Sequence, residues 1–192
     1  MTIFFVTGNK EKFREANALL GEFDVEQVDV DLPELQGEPE EIVKEKARLA
    51  ARKTGKTVFV EDTSLCFNAL NNLPGPYVKA FVEKIGVKGL YELASKYEDK
   101  SAYALACIGY CEPGKEPLVF KGRVNGRIVS PRGDTRFFWD QIFIPEGHNK
   151  AFSEMSVEEK NKISHRKLAF EEFGKWLEEE QEFHLNSTSP LR

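Results

Sequence analysis

The sequence predicts an α/β fold in two lobes, with a central mixed sheet flanked by helices, and three observations predict it. Strand-like and helix-like patterns alternate through residues 2–60, which is the order of a βαβ unit. A Pro- and Gly-bounded loop at residues 71–76 then interrupts the chain, and a second lobe is expected to start there. Two strand-like runs, 101–110 and 118–129, are joined by the turn-rich Glu112-Pro113-Gly114-Lys115-Glu116-Pro117 and read as a long β-hairpin in that lobe.

Thr2–Val6 is apolar and β-branched, and leads as a strand into a helical pattern over Lys10–Leu20. A short strand is expected at 25–28. The helix predicted over 39–53 has Pro39 near its first turn and Glu38, Glu40 and Glu41 at its positive end, where acidic side chains suit the dipole. A strand at 57–60 follows and ends at two carboxylates, Glu61 and Asp62. After the loop, 77–85 and 89–96 carry apolar residues at three- and four-residue spacing and read as helices. The last helical region opens on a capping box, Ser156 with Glu159 three residues on, and continues through Ile163, Phe170, Phe173 and Leu177 on one face. One domain is expected over 1–183, with 184–192 a flexible tail.

The chain has 192 residues, enough for one sizeable core, and its 41% hydrophobic and 31% charged composition is that of a globular protein. A net charge of -5 argues against a nucleic-acid partner, because such binding draws on a broad basic face. Cys66, Cys107 and Cys111 have neither an even count nor C-x-x-C spacing, so neither a disulfide framework nor a structural zinc is indicated. Met1 runs straight into the first strand, and no apolar run approaches the roughly 20 residues that span a bilayer, so a cytoplasmic location without a membrane partner is expected.

Several positions can carry chemistry. In α/β sheets function collects beyond the carboxyl ends of strands, which places Asp62 where a metal-bound substrate belongs, although Glu61-Asp62 alone reads first as a solvated acidic turn. Thr7-Gly8-Asn9-Lys10 links the first strand to the first helix, where backbone N–H groups and the dipole favour an anion; a plain turn is the competing reading. Lys12 and Glu15 lie three apart on that helix and can face the same site, or form only a surface pair. Glu34, in a Pro- and Gly-bounded loop, can join Asp62 around Mg²⁺, a hard cation that takes oxygen ligands and substrate phosphates. Phe137-Phe138-Trp139-Asp140 sets aromatic faces beside a carboxylate, suited to stacking a nucleobase or to anchoring a core. Lys160, Asn161, His165, Arg166 and Lys167 form a local cationic group in an acidic chain.

Taken in order, these motifs resemble one family, the inosine triphosphate pyrophosphatases that remove non-standard purine nucleoside triphosphates. The resemblance rests on T-G-N-x-x-K at 7–12 with Glu15, L-P-E-L-Q-G at 32–37 and E-D-T-S-L-C-F-N-A-L at 61–70. It continues in L-P-G-P-Y at 73–77 with Lys79, P-R-G at 131–133, W-D at 139–140 and S-H-R at 164–166, in wording most similar to the eukaryotic branch. It implies Mg²⁺-dependent hydrolysis of the α,β-phosphoanhydride, with Mn²⁺ as a substitute metal, in a homodimer whose active-site cleft runs between the two lobes. Glu34 and Asp62 would hold the metal, with Glu15 near it or its waters and Asp62 activating the attacking water. Lys12 would take part in catalysis and, with Thr7, Gly8, Asn9, Lys46, Lys79 and Lys160, hold the phosphate or sugar end. Phe137, Trp139, Asp140, His165 and Arg166 would form the base pocket. Phe138 departs from the pattern, since a small residue is common there. A pyrophosphatase of broader base preference, or a nucleotide-binding module without turnover, remains the alternative; the presence of Glu15, Glu34 and Asp62 argues against the latter.

Overall fold

A computed structural model describes residues 2–134 and 138–187. Strand β1 (Thr2–Val6) is followed by helix α1 (Lys10–Leu20), β2 (Asp24–Val28), α2 (Pro39–Thr54) and β3 (Val58–Phe67). The two-residue strand β4 (Pro74–Gly75), helix α3 (Val78–Ser95), the hairpin β5 (Ser101–Cys111) and β6 (Leu118–Ile128), and the short β7 (Phe143–Pro145) come next. Helices α4 (Val157–Ile163) and α5 (His165–Ser187) close the described chain, and 188–192 of the expected tail lie outside the described residues.

The sheet is open and mixed, in the order β2-β1-β3-β5-β6-β7, with β4 added to β3. Strand β1 runs parallel to β2 and β3, and the other pairs are antiparallel. Helix α2 forms as its ends predict: Pro39 starts it, Arg52 and Lys53 lie in its last turn, and Gly55 at φ 67° returns its N–H to Ala51 O at 2.9 Å. The break expected between two helices after residue 85 falls at Gly86 of α3, whose φ of 70° and ψ of 172° are not helical. All three cysteines are buried free thiols.

Strand β3 corrects the sequence reading that ended it at residue 60. It continues for ten residues, with Glu61 and Asp62 in its middle, and pairs with β5 from Val58 to Phe67. Its other edge is shared. Strand β1 reaches only Phe59 and β4 begins only at Leu65, so among the described residues no strand covers that edge between them. The same strand feeds three cores. Phe59 packs with Phe5, Phe170 and Phe173 under α1 and α5, Val58 and Val60 pack with Val43 and Ala47 under α2, and Leu65 and Phe67 pack with Leu90 and Phe143 in the second lobe. The uncovered stretch therefore lies between the lobes.

The expected single terminal helix is two. Ser164 takes an extended ψ of 152°, ending α4, and its Oγ accepts the Lys167 N–H at 3.1 Å, capping the first turn of α5. The hydroxyl offers the backbone an alternative to continuing the helix.

Candidate active site

Successive side chains of a strand point to opposite faces, so Glu61 and Asp62 look away from one another. Glu61 faces α1 and α5, while Asp62 faces α2. Two polar clusters result, one on each side of the uncovered edge.

On the Asp62 side, Lys46 of α2 sets its Nζ 2.7 Å from Asp62 Oδ2 and 3.4 Å from Glu34 Oε2. Burial pushes the Lys46 ammonium down, but Asp62 and Glu34 outweigh it and its pKa is raised. Lys79, at the start of α3, lies 3.9 Å from Glu34 Oε1, and Glu34 itself is 81% exposed. The carboxylates of Glu34 and Asp62 thus converge on one positive centre, and hard oxygen donors around a cation are the set that Mg²⁺ takes. Among the described residues no third His, Cys, Asp or Glu joins them, so a metal there would need substrate oxygens and water to complete its shell. The residues fit the metal on those terms.

On the other side, Glu61 has a side chain with 0% exposure, yet it sits between two cations. Arg166 Nε donates to its Oε1 at 2.9 Å, and Lys12 Nζ forms an ion pair with Oε2 at 2.9 Å while donating to the Glu61 backbone carbonyl at 3.2 Å. Burial pushes the Glu61 carboxyl up, but the Arg166 guanidinium and the Lys12 ammonium overcome it and hold it at about 2. Glu15, one turn along α1 from Lys12, takes Arg166 Nη1. Burial would lower the Arg166 pKa; the two carboxylates raise it instead. Glu15, expected beside the metal pair, is therefore brought to Arg166.

Glu15, Thr63 and Arg166 also line a pocket together with Trp139, Asp140, Lys160, Asn161, Ser164 and His165. Asp140 is buried and bonded to Lys160 Nζ. Burial pushes its carboxyl up, and Lys160 offsets only part of that. Lys160, expected at the phosphate or sugar end, is placed with Asp140. His165 is buried at 5.4 Å from the Trp139 ring, and burial, followed by Arg166 and Lys160, holds its pKa well below 6.5. Among the described residues, Asp140 Oδ1 and both His165 ring nitrogens have no hydrogen-bond partner. Buried polar groups are rarely left so, and these three atoms are ready for a polar ligand. Phe137 lies outside the described residues.

Two close approaches fix the helices. A Cβ on Gly122 of β6 would lie 2.0 Å from His165 O and 2.4 Å from Ala169 N, so α5 is seated directly on the strand; one on Gly109 of β5 would lie 2.4 Å from Val43 O of α2. At the start of α1, Asn9 Oδ1 accepts the N–H groups of Glu11 at 2.9 Å and Lys12 at 3.1 Å, and Thr7 Oγ1 accepts that of Asn9 at 3.1 Å. This cap aims Lys12 at Glu61.

Sequence reasoning assigned Glu61 no role and left Thr63 and Ser164 unassigned within their motifs. The apolar strand pattern on both sides of Glu61 is the signal that its side chain had to be buried and therefore paired.

Comparison with known proteins gives concordant findings. The model of the Ham1 family matches residues 3–176. The inosine triphosphate pyrophosphatase of Tuber melanosporum is 49% identical over 180 residues, covering 92% of this chain and 97% of that protein. A HAM1 protein from Coxiella burnetii superposes with a TM-score of 0.85 at 28% identity, over 93% of this chain and 99% of that one. A nucleoside-triphosphatase, or dITP/XTP pyrophosphatase, from Mycobacterium abscessus superposes with a TM-score of 0.72 at 28% identity, over 87% and 95%.

Proposed function

This chain belongs to the Ham1 family, and from that premise we propose that it hydrolyses ITP, dITP and XTP to the nucleoside monophosphate and pyrophosphate, clearing non-standard purines from the nucleotide pool. One observation carries the reading from geometry: at the uncovered edge of β3, carboxylates and lysines stand on one face and a pocket with unpartnered buried polar atoms on the other. A nucleoside triphosphate has that polarity.

In this reading the purine enters beside Trp139, and the triphosphate passes Lys12 and crosses the edge toward Lys46 and Lys79, with Thr7, Gly8 and Asn9 flanking its path. Glu34 and Asp62 would hold Mg²⁺, or Mn²⁺ in its place, and the metal would neutralise charge developing on the phosphates. Asp62 orients a water toward the α-phosphorus and accepts its proton; the new P–O bond forms as the α,β-bridging bond breaks and pyrophosphate leaves. The lysines hold the leaving group. A 6-oxo purine offers an acceptor at O6 and a donor at N1, which Arg166, neutral His165 and the Asp140 oxygen can answer. Adenine inverts both, leaving buried groups unpaired, which is the kind of mismatch that discriminates strongly.

The same reading makes the protein a cytoplasmic homodimer, without a nucleic-acid or membrane partner. Among the described residues no helix is long and apolar enough to cross a membrane. The test is a panel of ITP, XTP, ATP and GTP with Mg²⁺, scored for pyrophosphate. Inosine and xanthosine triphosphates should be turned over far faster than ATP. Equal rates would favour the broader pyrophosphatase, absence of turnover a binding module, and orthophosphate an attack elsewhere on the chain.

A further inference from the structure

In the pyrophosphatase reading Lys12 and Arg166 serve different parts of the substrate, yet they share one carboxylate. In that reading Lys12 meets the phosphates and Arg166 the base, and each approaches a different oxygen of Glu61 at 2.9 Å, Arg166 from the wall of the pocket. Helix α1 closes the circuit, because Arg166 also meets Glu15 one turn after Lys12. The circuit spans α1, β3 and α5 and is closed to water at Glu61.

We propose that Glu61 is a positioning residue that couples the two ends of the substrate site, so that a base seated against Arg166 strengthens the grip of Lys12 on the phosphates. This rests on the pyrophosphatase reading above and adds to it a mechanism by which the correct base promotes catalysis. A buried carboxylate with no water to screen it responds to both cations at once. When a base fixes the guanidinium, Glu61 is held in the rotamer that also receives Lys12; when Arg166 is displaced, the ammonium keeps the Glu61 backbone carbonyl but loses the fixed carboxylate. Binding at one end is then linked to binding at the other, and such linkage is reciprocal.

The test uses two probes that touch the ends separately, inosine and magnesium pyrophosphate, titrated calorimetrically alone and together. In the wild-type protein, saturating inosine should tighten pyrophosphate binding about fivefold or more, and pyrophosphate should tighten inosine equally. Unchanged affinities in the wild type overturn the proposal, even if pyrophosphate release from ITP is normal; failure of that release would instead overturn the pyrophosphatase reading. Glu61→Gln should abolish the coupling and lower the ratio of ITP to ATP kcat/KM. Glu61→Asp keeps the charge but is a methylene too short to serve both cations, so it too should uncouple the probes. Full coupling retained in a folded Glu61→Asp protein overturns the proposal, and this arm stands whether or not Glu61→Gln folds.

Discussion

A Cβ on Gly122 would press to 2.0 Å from the carbonyl oxygen of His165, so the first turn of α5 rests on bare backbone. That turn carries His165 and Arg166 into the pocket. Gly122→Ala must push α5 outward, costing about 1–3 kcal/mol of stability as overpacking does. Displacing the pocket wall should also lower kcat/KM for ITP by about tenfold or more. Gly174→Ala is the control in the same helix, since its Cβ would meet only Leu20 Cδ2 at 3.8 Å; it should raise stability by about 0.5–1 kcal/mol and leave turnover unchanged. Thermal unfolding and pyrophosphate release check both variants.

Asp62→Asn removes a proton acceptor and a metal charge together without altering the strand. Pyrophosphate release from ITP is expected to fall by about 10²–10⁴-fold. Circular dichroism should match the wild type. Near-normal turnover would sink the role assigned to Asp62.

Lys46 lies between the two carboxylates where a divalent ion would also be drawn. Lys46→Met should therefore lower the Mg²⁺ concentration giving half-maximal activity, while raising KM for the nucleotide by about 10- to 100-fold through loss of a charged hydrogen bond. Metal and nucleotide titrations separate the two effects, and a rise in the Mg²⁺ requirement would contradict the arrangement.

His165 gives a pH dependence with a definite sign. Its folded pKa is held well below 6.5, so below that pH the unfolded chain takes a proton that the folded one refuses. Its contribution is present above about pH 6.5 and is lost as pH falls toward the folded pKa, at up to about 1.4 kcal/mol per pH unit. Between pH 6.5 and 5.5 the wild type should lose about 1 kcal/mol more stability than His165→Phe in urea unfolding, because the unfolded imidazole is already half protonated at the upper pH. Equal losses would mean that the ring titrates normally.

The order of the elements was legible because it rests on local signals: Pro39 and the acidic first turn for α2, the two runs of helical apolar spacing at 77–85 and 89–96 for α3, and the turn-rich 112–117 between β5 and β6. The length of β3 was not. A strand entering two carboxylates looks finished, and only Arg166, 105 residues away, together with Lys12 makes Glu61 tolerable inside the sheet. The same non-local pairing hid the place of Glu15, and Ser164 hid the division between α4 and α5 inside one continuous apolar pattern. Asp62, Glu34 and Lys46 were legible as residue types, whereas their convergence on one centre depends on α2 lying flat against β5 at Gly109.

Strand β3 is laced to β5 along its whole length and rooted in the cores of both lobes. Such a segment opens only with global unfolding, so its amides bonded to β5 should be among the slowest in the molecule to exchange with solvent. Asp62 thus rides on the part of the molecule that opens last, and its address is set by the most cooperative segment of the fold.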